Sequence, residues 1–301
     1  MTVRAIVETY LAAIKGEGKS HYAMKCQLKT VLEELGDLPA ADLTATRLEE
    51  YRRNRVRRST RRKDTGEQDA QLKPLAPATV NRELGYLRAA FRRAQRFGLL
   101  DRVPYFPMSR EGAPREGHCS PEQLATILDH LRHRETHADY SDVADLVEFL
   151  YLTGWRRNEG VFLTWPEVDL GAGVIALPPE RSKNRTGRLI PARGRLAALL
   201  VRRSALRLVD CAFVFHRLGG RPVRYFRHVW ERATAAAGIP KFVLHGLRCT
   251  FATDQRRAGV PFDVTMRLAG WKTDSMRRRY ATVLAPELEE AQAVMESYRG
   301  G

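Results

Sequence analysis

His245-Gly246-Leu247-Arg248-Cys249-Thr250-Phe251-Ala252-Thr253, then Leu268-Ala269-Gly270-Trp271, then Arg277-Arg278-Arg279-Tyr280-Ala281, is the stretch around which this chain is organised. His245 and Arg248 stand three positions apart, so on a helix they share a face. Guanidinium groups fork onto phosphate oxygens. An imidazole moves a proton near neutral pH, and a tyrosine hydroxyl can attack and form a covalent intermediate. The set suits chemistry on a phosphate. A His-x-x-Arg pair alone more often belongs to a packed, hydrogen-bonded helix. The reading therefore depends on two further parts upstream, a second phosphate-binding arginine and a proton donor for the leaving group.

The 301 residues are enough for two domains, and a hydrophobic content of 44% marks a folded chain. The formal net charge of +16 at pH 7 predicts a polyanionic partner, most often nucleic acid. On charge alone, a generically basic or ribosome-associated protein is the plainer alternative. Cys26, Cys119, Cys211 and Cys249 are far apart and form no Cys-x-x-Cys pair. That spacing speaks against a zinc site or a disulfide framework and fits a reducing cytoplasm. The sequence has no apolar run of transmembrane length and no signal-peptide core over its first ten residues. It also lacks a glycine-rich loop ending in Lys-Ser/Thr, so ATP hydrolysis is not indicated, and no cofactor is expected.

Working outward, the first hundred residues read as helices. Ile6, Tyr10, Leu11 and Ile14 share one face of a helix over residues 1–17. A second helix over 22–35 turns Leu28, Val31, Leu32 and Leu35 inward, and a third covers 43–55. The basic run that includes Arg57, Arg58, Arg61 and Arg62 lies in a polar loop, 57–75. Such runs are usually solvated faces; with the rest of the chain in view, contact with a phosphate backbone is the expectation. Pro77 opens a helix to residue 97 whose stripe is Leu84, Leu87, Phe91 and Ala94, with Arg88 and Arg92 among the arginines on its other sides. Residues 104–118, with Pro104, Pro107 and Pro114, read as a linker.

Ser120-Pro121-Glu122-Gln123 is a capping box with proline at the first helical position. An apolar helix over 141–153 reads as central and leads into Thr153-Gly154-Trp155-Arg156-Arg157-Asn158-Glu159. Residues 174–177 and 188–191 read as two strands of a small antiparallel sheet joined by a polar turn carrying Lys183. Helices over 196–206 and 225–237 precede the opening stretch, and a last helix covers 286–298.

Taken together, four separated places resemble the tyrosine recombinases of the phage-integrase type. Thr153-Gly154-Trp155-Arg156 with Glu159 and Leu163-Thr164-Trp165 resembles that family's first box. Ser182-Lys183-Asn184 resembles its lysine hairpin, and the stretch from His245 to Thr253 its second box. Gly270-Trp271 and Tyr280 fall at its final spacing. The motifs span about residues 150–285, and the N-terminal helices resemble the family's core-binding domain less distinctively. Trp271 stands where many members carry histidine, and Cys249 replaces a common histidine after the box-two arginine.

The resemblance implies a role for each residue, and the chemistry agrees. Phosphodiester transesterification needs no metal where fixed positive charge stabilises the phosphorane. Arg156 and Arg248 are the candidates to hold the non-bridging oxygens, with Arg157 the rival for the first place. Tyr280 is the candidate nucleophile and His245 its proton acceptor. Lys183 is the candidate acid for the departing 5′ oxygen, and Arg181 its rival. Trp271 can donate a hydrogen bond but not exchange a proton. Glu159 is placed to orient Arg156. Tyr298 is a rival nucleophile close to the chain end, and Trp165 and Phe251 read as core.

The expected protein is mainly α, with a helical core-binding domain (1–103), a linker (104–118) and an α-rich catalytic domain with a small antiparallel sheet (119–301), closing as a clamp on duplex DNA. Its expected activity is site-specific strand exchange through a covalent 3′-phosphotyrosine. Supercoil relaxation of the type IB topoisomerase kind and a catalytically silent DNA-binding relative stand as alternatives. The resemblance further implies short inverted-repeat sites, a dimer on each and a homo-tetramer on two; no membrane is expected, and the expected location is the cytoplasm, as a bacterial, archaeal or phage-encoded protein associated with the nucleoid. An additional arm-site-binding domain is not expected, and the last helix is a candidate to dock on a neighbouring protomer or to pack on its own domain.

Overall fold

The computed structural model describes residues 1–16, 21–55, 74–112, 117–132, 140–182, 187–271 and 285–300. The chain divides into two compact units, Met1–Ala113 and Pro114–Gly301. Among the described residues it is helix-rich with one three-stranded antiparallel sheet.

The first unit contains α1 (Val3–Gly16), α2 (His21–Leu35), α3 (Ala45–Asn54) and α4 (Pro77–Arg96). The 3.6-residue periodicity of their apolar positions determines which faces meet. Ile6, Leu11 and Ile14 of α1 join Leu28 and Val31 of α2 and Leu84, Leu87, Phe91 and Ala94 of α4 in one core. The third helix starts at Ala45 and not at Leu43, because the Thr44 hydroxyl caps it by accepting from the Arg47 N–H at 3.3 Å. Leu43 is instead buried just outside the helix. Glu83 on α4 is buried and neutralised: Arg55 donates to it at 2.9 and 3.0 Å, and the Tyr51 hydroxyl donates at 2.8 Å. Phe106 packs edge-on against Phe91, and Asn81 clamps the backbone of Ser109 through two 2.8 Å bonds. Residues 106–109 thus lie on the first unit.

The second unit is built around α6 (Ser141–Thr153), which touches α5 (Pro121–Arg132), α7 (Arg157–Val161), α8 (Gly194–Ala205) and α10 (Gly246–Arg257). The Ser120–Gln123 capping box is formed, with bonds of 2.9 and 3.2 Å. Val143, Leu146, Val147 and Leu150 of α6 are all buried. Two of its three acidic side chains, Asp145 and Glu148, are also buried and are met by Arg132, Arg195 and Arg202 at 2.7–3.2 Å. Burial disfavours the charge on Glu148, but hydrogen bonds from Arg195 and Arg132 hold its carboxyl below the usual range.

The sheet has three strands rather than two: β1 (Val168–Asp169), β2 (Val174–Leu177) and β3 (Arg188–Pro191). Ile175 pairs with both Val168 and Ile190, and Leu177 pairs with Arg188. A two-residue strand leaves too little alternation to be read in advance. Next come α9 (Arg227–Ala236), which starts two residues later than the periodicity predicts because Phe226 has non-helical backbone (φ −144°), then α11 (Phe262–Ala269) and α12 (Ala285–Arg299).

Candidate active site

The site begins where α6 ends. Gly154 adopts the left-handed conformation (φ +61°), and its N–H bonds to the Leu150 carbonyl at 3.0 Å. A Cβ on Gly154 would lie 2.4 Å from the Phe251 ring, so the absence of a side chain lets α10 rest directly on this turn. From α10, Arg248 reaches back and donates to the Gly154 carbonyl at 2.5 Å. Arg248 is 2% exposed, and its guanidinium lies 5.2 Å from the centre of the Trp271 ring.

Two residues beyond the turn, Arg156 caps the N-terminus of α7. Its backbone N–H and its guanidinium each donate to the Glu159 carboxylate at 2.9 Å. A second guanidinium nitrogen reaches the Gly270 carbonyl at 3.4 Å. Arg157 points elsewhere, over the Phe226 ring at 5.4 Å and toward the Arg224 carbonyl. Of the two neighbouring arginines, Arg156 is the one that reaches the carbonyl just before Trp271.

His245 precedes the first turn of α10 and is exposed, whereas Arg248 one turn on is buried. It stands on the wall of an open cleft of about 730 Å³ shared with Arg156, Glu159, Phe162 and Arg181. It also borders a larger hollow of about 1280 Å³ that includes Arg227, Lys241 and Phe242. Trp271 is buried with Phe251, Ala252 and Ala269, following Gly270 in the left-handed conformation (φ +67°). Arg181 is paired with Glu167 and donates to the Glu159 carbonyl at 3.3 Å. Cys249 is half-buried, and its thiol lies 3.8 Å from the His245 carbonyl. On α4, Arg92 is exposed and Arg88 half-buried. Tyr298 on α12 is 83% exposed. Lys183, Tyr280, Arg57, Arg58, Arg61 and Arg62 lie outside the described residues.

One residue at the centre escapes a reading of the sequence. Arg188, the first residue of β3, is buried beneath the site. It ion-pairs with Glu159 at 2.6 Å, donates to the Ala269 carbonyl at 2.7 Å and lies 4.9 Å over the Trp155 ring. The available signal was the strand's alternation, which turns Arg188 and Ile190 inward and leaves Leu189 71% exposed. Burial raises the cost of ionising Glu159, but the Arg188 charge and the bonds from Arg188 and Arg156 hold its carboxyl below the usual range. Arg188 is pushed the other way by burial, below the usual guanidinium range, with Glu159 opposing. Arg156 and Arg188 share the Glu159 carboxylate, and Arg248 is anchored on the neighbouring Gly154 carbonyl, so these side chains carry more positive than negative charge, which suits an anion such as a phosphodiester.

Comparison with known proteins assigns the family. Residues 119–286 match the model of the phage integrase family, and residues 2–103 match the phage integrase N-terminal domain. The chain belongs to the phage integrase family of tyrosine recombinases. It is 30% identical over 247 residues to the tyrosine recombinase XerD of Mycobacterium leprae, covering 76% of this chain and 77% of that one. It is 28% identical over 240 residues to the integrase of Salmonella phage P22, covering 76% of this chain; the matched region spans only 60% of that relative's length. In fold it resembles the Tn1549 transposon integrase solved with a circular intermediate DNA, with a TM-score of 0.76 at 21% identity and 99% coverage of both chains. It also resembles the lambda integrase tetramer bound to a Holliday junction, with a TM-score of 0.68 at 16% identity over 93% of this chain and 77% of that one.

Proposed function

We propose that this protein is a site-specific DNA recombinase that cuts and rejoins duplex DNA by transesterification. The observation that carries the proposal is the convergence of Arg156, Arg248 and Trp271 at the α6–α7 turn, with His245 and Arg156 on one cleft wall. In this reading Arg156 and Arg248 hold the two non-bridging oxygens of the scissile phosphate and stabilise the charge of the phosphorane. The Tyr280 oxygen attacks phosphorus and passes its proton to His245. The bond to the 5′ oxygen breaks, and Lys183 protonates that oxygen. The product is a 3′-phosphotyrosine and a free 5′ hydroxyl, so the ester's energy is kept for rejoining and no nucleotide is consumed. Trp271 supplies packing and an indole N–H, and Glu159 fixes Arg156.

The remaining assignments extend this reading. The helical unit over 1–103 serves as the core-binding domain and 119–301 as the catalytic domain, joined by the 104–118 segment, whose residues 106–109 are packed on the first unit. Arg88, Arg92 and the 57–62 arginines contact backbone phosphates. Two solved lambda integrase structures hold a dimer on a core site and a tetramer on a Holliday junction. By the same logic this protein acts as a dimer on each inverted-repeat site and a tetramer on two. Among the described residues no helix is long and apolar enough to cross a membrane, and the cytoplasm is the proposed location.

The test is a supercoiled plasmid carrying two copies of the DNA that flanks this gene. Recombinant circles are the expected product. Relaxed topoisomers without recombinants would support the topoisomerase-like alternative, and tight binding without either product would support a silent DNA-binding relative.

A further inference from the structure

Arg188, the first residue of β3, joins two pieces of chain that each carry part of the candidate site. It contacts Glu159, the partner of Arg156, and it contacts the Ala269 carbonyl, two residues before Trp271. Its guanidinium stacks on Trp155, the neighbour of Arg156. Arg156 reaches the next carbonyl along, that of Gly270. Two consecutive carbonyls ahead of Trp271 are therefore held by two arginines that share one carboxylate. Gly270 itself fits this arrangement, because a Cβ there would lie 2.4 Å from an Arg188 guanidinium nitrogen.

Arg188 is 7% exposed, and its guanidinium is occupied by the Glu159 carboxylate, the Ala269 carbonyl and the Trp155 ring, so it acts through these partners. A buried guanidinium is costly unless its contacts are used. A methionine or leucine would fill the same strand position against Trp155 without that cost. A planar fork can contact a carboxylate and a carbonyl while stacking on an indole, which an ammonium cannot do.

We infer that Arg188 is a positioning residue, which sets Arg156 through Glu159 and sets Trp271 through the Ala269 carbonyl, so that both meet the scissile phosphate. The inference rests on the recombinase reading given above. It requires Arg188→Lys to keep the charge and lose the geometry.

The test uses the full-length protein on a nicked suicide DNA substrate in single-turnover cleavage at saturating enzyme, with DNA affinity and thermal melting measured alongside. Arg188→Lys is expected to bind DNA within a few-fold of the unaltered protein and to cleave ~10²-fold more slowly, the scale that small misplacements of a reacting group produce. The second arm replaces one non-bridging oxygen of the scissile phosphate by methyl. That neutral linkage asks less of the arginines, so the deficit of Arg188→Lys should shrink on it. A deficit of equal size on both substrates, or a cleavage rate matching the unaltered protein, overturns the positioning role. Arg188→Met fills the space but leaves Arg156 as the cation paired with Glu159, so it should melt lower than the unaltered protein yet remain folded, and it too should cleave slowly. An unaltered protein that forms no covalent adduct on any tested site would overturn the recombinase reading, and the positioning role would fall with it.

Discussion

Glu159 concentrates the residue-scale physics. It is 4% exposed and is contacted by two arginines and by a backbone N–H. Its replacement by glutamine leaves Arg188 buried without a counter-charge. The expected cost is ~3 kcal/mol of unfolding free energy at neutral pH, the scale for breaking a buried pair. Because the folded carboxyl is depressed, its contribution is complete above the unfolded value of about 4.3 and is lost as pH falls through the lower folded value. The gap between Glu159→Gln and the unaltered protein in urea unfolding should therefore narrow as the pH is lowered through the carboxylate range. A gap that stays constant with pH would contradict the ion-pair account. Arg248→Ala should slow cleavage by ~10²–10³-fold, as removal of an oxyanion donor does. Single-turnover assay on the nicked substrate checks it, and an unchanged rate would remove Arg248 from the site.

At the scale of elements, the α6–α7 turn is the joint on which α10 rests. Gly154→Ala must place a Cβ against the Phe251 ring at a positive φ. A loss of ~1–3 kcal/mol is expected, with slower cleavage because Arg248 anchors to the same turn. A melting temperature equal to the unaltered protein's would show that α10 is free to shift. Most elements were legible because their periodicity is strong. Ser141–Thr153 follows the apolar run residue for residue, and the Ser120–Gln123 box marks its helix start. What was not legible has physical causes. The two-residue β1 has no period to read, and Thr44 capping moved a helix start past the apolar Leu43. In β3 a charged residue faces inward while a leucine faces out, which inverts the usual assignment of buried positions. Arg188 was therefore invisible as a site residue, whereas Arg156 and Arg248 were flagged by their boxes. The structure also separates Arg156 from Arg157, a choice that spacing alone leaves open.

At the scale of the whole molecule, the dominant quantity is charge. The net +16 and the arginines along α4 predict binding to DNA driven largely by release of counterions. Affinity should fall steeply and linearly in log–log form with salt. Arg88→Ala and Arg92→Ala should each lower that slope by ~1 if each neutralises one phosphate. Fluorescence anisotropy over a potassium chloride series measures this, and a slope unchanged by both substitutions would move the DNA contact off α4. The same charge is consistent with any nucleic-acid binder, so it is the covalent chemistry that distinguishes a recombinase from a silent relative.

That chemistry is tested most directly by the protein–DNA adduct itself. Nicked suicide substrates built from the DNA flanking the gene are incubated with the unaltered protein and with Tyr280→Phe, resolved under denaturing conditions, and the adduct is digested for peptide mapping. The account predicts an adduct with the unaltered protein, its absence in Tyr280→Phe, and a nucleotide-bearing peptide that contains Tyr280. An adduct that persists in Tyr280→Phe, or maps to Tyr298, would contradict the assigned nucleophile.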